Sequence, residues 1–252
     1  MKFDYSTDDS QKSLAPFFST KMLSITFSGL LILCLILFIC WPTKDLHFYV
    51  LGPEMPLSFL VIFGVTLLLN TYVNLRCGHG EIFIASILGG QKRDKLVTYE
   101  EERDFFSYGL IEFILHTLFL LAILLPLLLV SAALSEISTW VLLKSLSIIF
   151  VASLVCRMFG FMMFLALRTH PMIGYQSTRL FFLLFIIGTA LFAPVTNAFL
   201  MINALYRGQE MISPLSMDAY TFHMLIMTLA VAFLTLANQL MVRHNKLKRK
   251  SN

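Results

Sequence analysis

The chain alternates between long apolar runs and shorter polar intervals. Six runs reach or approach the length of a bilayer crossing: Met22–Trp41, Leu57–Asn74, Phe105–Ala133, Trp140–Leu167, Leu180–Pro194 and Ala219–Val242. About 20 apolar residues in an α-helix cover the roughly 30 Å of bilayer hydrocarbon. A helix also satisfies its own backbone polar groups there, where water cannot. The pattern therefore predicts an all-α fold: a polytopic membrane protein with about six transmembrane helices, residues 1–252 forming a single transmembrane domain. Pro126 interrupts the third run, which membrane helices tolerate. Met22–Trp41 exceeds a signal-peptide core, and Trp41-Pro42 follows it instead of a small-residue cleavage site, so it is read as a span.

The intervals differ in kind. Leu134–Thr139 (LSEIST) predicts a tight turn joining the third and fourth spans, and Arg168–Arg179 (RTHPMIGYQSTR) a polar loop. Residues 195–218 are neither spanning nor strongly polar. They predict short helices dipping into the outer interface, a re-entrant segment tolerated when packed on protein. The longest interval is Arg76–Asp104, which carries the densest mixture of both charges, Gln91–Asp104 reading QKRDKLVTYEEERD. Within it Glu81–Leu88 is too short to span and reads as an interfacial helix ended by Gly89-Gly90. Taken alone, the interval is a solvated connection or a surface for a partner.

Composition agrees with the pattern. The chain is 58% hydrophobic and only 13% charged, where soluble domains carry about 25% charged residues. Of the 19 Lys and Arg, fifteen fall in the N-terminal segment, the 76–104 island, the 168–179 interval and the tail RHNKLKRKSN. Only Lys44 and Arg207 fall in the alternate segments, and Lys144 and Arg157 lie inside spans. By the positive-inside rule both termini and the island are cytoplasmic. The net charge of +4 is sorted by membrane side and is no nucleic-acid signal.

Candidate chemistry is sparse. No phosphate loop of the form GxxxxGK[ST] occurs, nor HExxH, GxSxG or a paired-Asp motif. Cys34, Cys40, Cys77 and Cys156 show no CxxC or metal spacing, and three of them sit in or near apolar runs, where they pack. Glu112 and His116 lie one turn apart on the third span, more commonly a helix-surface pair than a metal site. Arg157 lies well inside the fourth span, where an unpartnered Arg costs roughly 2.5–3.5 kcal/mol at a helix centre. In a hairpin turning near residue 135 or 136, residues at equal depth have numbers summing to about 270. Arg157 is then level with about position 113, which predicts a pair with Glu112 and His116 as second neighbour. That pair is a structural lock or a substrate- or proton-handling group, unless rotation turns the side chains apart. Lys144 near the outer end of the fourth span snorkels or lines a path. Asn70 and Asn74 share a helix face, where they join helices by hydrogen bonds or sit at an interface. The basic tail meets anionic lipid or a partner.

The third run with its late proline (LLAILLPLLLVSAAL), the SEIS turn, the returning fourth run, the island before this hairpin, and the semi-apolar segment before the last span together form a layout. It resembles the membrane subunit of an ABC-2 type transporter, the six-helix exporter permease class, although the RExxxGT pattern frequent in that family's loop is absent. The resemblance implies a permease subunit, itself non-catalytic, with ATP and Mg on a separate ABC-type ATPase subunit. It implies pairing with a second copy or a related permease chain in the plasma membrane, a bacterial inner membrane. The island would hold a coupling helix, in which Leu96, Val97 and Tyr99 form an apolar ridge flanked by Lys95, Glu100, Glu101 and Glu102. The alternatives are a scaffold or assembly subunit with the same spans and no ATPase, and a membrane-embedded enzyme, which would need clustered polar groups at one depth.

Overall fold

The computed structural model describes residues 20–39, 57–78, 110–167, 171–209, 211, 213 and 216–251. Every regular element among them is helical: α1 Thr20–Ile39, α2 Leu57–Gly78, α3 Leu110–Leu134, α4 Thr139–Ala166 and α5 Pro171–Phe192. A 3-10 turn Pro194–Thr196, α6 Ala198–Arg207 and α7 Ala219–Ser251 follow. Among the described residues five helices, α2, α3, α4, α5 and α7, are long and apolar enough to cross a membrane. The first predicted span, Met22–Trp41, overlaps α1 over residues 22–39, and α1 is not one of these five.

The helix ends follow from local sequence. The C-terminus of α3 closes when Ile137 N–H reaches Ala132 O at 3.0 Å and Glu136 N–H reaches Ala133 O at 3.2 Å. Glu136 takes the left-handed conformation (φ 52°) that this motif requires. Ser138 then caps α4, its hydroxyl accepting from Val141 N–H, so LSEIST is the expected tight turn. The same closing motif ends α6, with Gly208 at φ 63° and Gln209 N–H bonded to Ala204 O at 3.0 Å. Here glycine removes the Cβ penalty. Asn197 caps α6 through Leu200 N–H at 3.1 Å, and Asp218 caps α7 through Thr221 N–H at 3.1 Å.

One expectation is overturned. The interval 168–179 is not a loop throughout, because α5 begins at Pro171 and its first turns run through Arg179. Proline suits the first helical position, where its missing N–H has no acceptor to serve and its fixed φ is already helical. Thr178 turns its hydroxyl back onto Gly174 O at 2.6 Å, so the polar stretch satisfies itself as helix. The fifth apolar element is thereby 22 residues rather than the 15 of the sequence reading. Two helices run well past their predicted ends without changing the plan: α2 continues to Gly78 and α7 through the basic tail to Ser251. The semi-apolar segment does contain short helices, the 3-10 turn and α6. Residues 79–104, with the predicted interfacial helix, lie outside the described residues.

Packing centres on α2 and α4. Leu33 of α1, Ile62 and Phe63 of α2, Leu128 of α3 and Ile148 and Ile149 of α4 are fully buried in one apolar cluster. The short α6 lies across α2 and α4, with Phe199 over Gly64, and Met201, Ile202 and Ala204 buried. Facing outward are Phe27, Leu31, Leu184, Leu191, Phe192 and Phe233, all exposed. A soluble surface rarely carries contiguous apolar area of this extent; a lipid-facing one does. The described residues form an all-helical structure, and its apolar helices fit a membrane-embedded protein.

Candidate functional site

The interior of this apolar bundle carries a polar seam. Spacing by four puts Ser145, Ile149, Ser153 and Arg157 on one face of α4, and Thr66, Asn70, Asn74 and Gly78 on one face of α2. The two faces meet. Asn70 Nδ2 donates to Ser153 Oγ at 2.9 Å, and Arg157 Nη1 reaches Asn74 Oδ1 at 3.5 Å. Both pairs are offset by 83 residues in the same sense, so α2 and α4 run parallel. At the end of the seam the backbones nearly touch: a Cβ on Gly78 would overlap the Arg157 carbonyl. No side chain larger than hydrogen fits there.

The third wall is α3. Thr117 lies with its hydroxyl 3.0 Å from Asn74 Oδ1 and 2.8 Å from Phe113 O, sharing one hydrogen between them. Asn74 Nδ2 donates to Asn70 O at 2.9 Å. Asn74 is therefore the hub, taking Thr117 from α3 and Arg157 from α4 on one oxygen. The Arg157 guanidinium sits 4.6 Å from the centre of the Phe113 ring, a geometry in which the ring face attracts a cation and more strongly when desolvated. Phe113 in turn meets Phe161 edge-on at 5.4 Å. His116 and the Cys77 thiol lie within electrostatic reach of Arg157. All of these groups are buried: Arg157 is 3% exposed, His116 1% and Asn74 0%.

The fourth wall is α7, parallel to α4 as well. Asn238 Nδ2 donates to Met158 O at 3.1 Å, and the Thr235 hydroxyl reaches Met158 Sδ at 3.3 Å. Toward the other end Ser147 and Tyr220 share a hydroxyl bond of 2.8 Å. Lys144 is gripped there, its ammonium 4.7 Å from the Tyr220 ring centre and 5.5 Å from that of Trp140. His223 Nδ1 bonds Val195 O at 2.8 Å, seating the 3-10 turn on α7.

Among the expected residues, His116 lies within electrostatic reach of Arg157, and position 113 lies level with Arg157, the depth that hairpin counting gave. The side chain found there is the Phe113 ring. Glu112 belongs to α3 by its backbone, but its side chain lies outside the described residues, and so does its pairing with Arg157. The coupling residues Lys95, Leu96, Val97, Tyr99, Glu100, Glu101 and Glu102 also lie outside them. Asn70 and Asn74 do join helices. Thr117, Ser153 and Phe113 were missed by sequence reasoning. A signal existed for Ser153, which lies one turn from Arg157 on the same face.

Chemically the seam can hold one cation in hydrocarbon and lock three helices in register. Among the described residues no three His, Cys, Asp or Glu side chains converge to hold a metal ion. No protein-family model, curated protein or solved structure matches this chain significantly.

Proposed function

We propose that this chain is the membrane-spanning permease subunit of an ATP-binding-cassette exporter, driven by a separate ATPase subunit and paired with a second copy or a related chain. The observation that carries this reading is where the seam sits. The Arg76–Asp104 island begins in the last turn of α2, and α3 begins shortly after it in the chain, at Leu110. Arg157 ties both helices, through Asn74 and through Phe113, to α4. A force applied to the island therefore acts on α4 through buried polar contacts, the kind of rigid link that domain motion needs. On this reading α1 completes six spans, both termini and the island face the cytoplasm, and the 3-10 turn with α6 forms the outer re-entrant segment. Lys95–Glu102 docks on the ATPase, which carries ATP and Mg.

The test is co-purification in mild detergent. The wild-type chain is expected to bring down an ATPase carrying a phosphate loop. Leu96→Asp with Tyr99→Asp is expected to release it while leaving membrane insertion unchanged. Retention of the full complex by the double variant would count against the coupling role. Recovery of a complex without any ATPase would favour a scaffold subunit instead.

A further inference from the structure

One feature takes no part in the seam: an apolar groove between α2, α4, α5 and α6. Its walls include Leu67, Leu68, Val155, Phe185, Ile186 and Phe199. The polar groups on its walls are turned inward to the protein. Thr71 bonds Leu67 O at 2.6 Å, and Thr189 bonds Phe185 O at 2.7 Å. Asn197 donates to Ile186 O at 3.0 Å and to Thr189 Oγ1 at 2.9 Å, while its oxygen caps α6. Nothing in the groove asks for a polar ligand, so the groove suits a hydrocarbon chain.

Two arginines lie just beyond one end of this groove. Phe182, which lines the groove, meets the Tyr72 ring there, ring centres 5.8 Å apart. One turn further along α2 is Arg76, its guanidinium 5.6 Å from the centre of the Tyr72 ring. One turn back along α5 is Arg179. The helices α4 and α5 are joined by only residues 167–170, so α5 begins at the end where α2 and α4 finish. Arg76 and Arg179 therefore lie at the same end of the groove on neighbouring helices, and both are half-buried. A long side chain near a helix end reaches the headgroup layer with its charge while its stem covers apolar surface. Arginine pairs bind phosphate oxygens with matched, forked donors, and basic pockets between membrane helices select anionic headgroups.

We propose that this groove is a binding site for an anionic phospholipid, one acyl chain lying along α5 and the headgroup phosphate held between Arg76 and Arg179. The site needs only that these helices lie in a bilayer, and it stands apart from the transport reading above.

The test uses the full chain purified in a neutral detergent, with phosphatidylglycerol and phosphatidylcholine of identical acyl chains as probes. Phosphatidylglycerol is expected to raise the thermal midpoint by several degrees and phosphatidylcholine to leave it nearly unchanged. Arg76→Gln with Arg179→Gln is expected to abolish the increment, while neutralising Arg243 and Lys246 in the tail keeps it. Equal stabilisation by both lipids, or an increment that survives loss of both arginines, overturns the proposal. Should the double variant fail to fold, Phe185→Trp places an indole in the groove. Brominated phosphatidylglycerol should then quench it at a lower mole fraction than brominated phosphatidylcholine; identical quenching curves overturn the site.

Discussion

The helices α4 and α5 follow one another in the chain and are both apolar enough to span, yet they are held by different physics. In α4, 61% of the span is buried within the chain; in α5, 6% is. The hydrophobic effect does not drive helices together inside lipid, where tails are as apolar as leucine. What remains is close packing and polar contact. Against α2, α4 has both: the backbone approach at Gly78 and the Asn70–Ser153 and Asn74–Arg157 bonds. The contacts of α5 include ring contacts, Phe181 stacked on Phe159 at 4.0 Å and Phe182 against Tyr72, together with the Asn197 clamp beneath its C-terminal half. The lesson is that directional bonds set register, while ring packing permits a looser seat and leaves a groove beside it.

Removing the hub should hurt most. Asn74→Leu deletes the oxygen that accepts from both Thr117 and Arg157, and a lost bond to a charged group costs about 1.5–3 kcal/mol. Arg157→Met should be milder, because it removes the cation along with its need for an acceptor. The expected order in thermal midpoint and detergent-soluble yield is wild type, then Arg157→Met, then Asn74→Leu lowest.

On α5 the effect should be small. Phe181→Leu breaks the stack on Phe159, worth about 0.5–1.5 kcal/mol beyond its area. Its midpoint should fall less than that of Asn74→Leu. If the two variants fall equally, the contrast between the helices is wrong.

Hydropathy made the plan of the molecule legible, because span length follows from bilayer thickness and not from partners. It placed the tight turn at LSEIST and short helices in the segment after Pro194. It misjudged Pro171–Arg179, part of the interval Arg168–Arg179 read as loop from its polar side chains, although helices at the edge of a membrane carry such residues when the hydroxyls fold back on the backbone. Depth was legible too, since Phe113 stands where hairpin counting put a neighbour for Arg157. Rotation was not. Ser153 and Thr117 read as ordinary helix residues, because small hydroxyls are common in membrane helices and often bond only their own preceding turn. Only the facing helix shows which of them cross over.

The central claim is that Asn74 and Arg157 are coupled across the α2–α4 seam. A double-mutant cycle in Asn74→Leu, Arg157→Met and the pair, read by reversible unfolding in detergent micelles or bicelles, addresses it directly. The account predicts that adding Arg157→Met to Asn74→Leu recovers part of the loss, with an interaction energy of about 1 kcal/mol or more, within the range seen for residues in contact. Strictly additive single effects would contradict it.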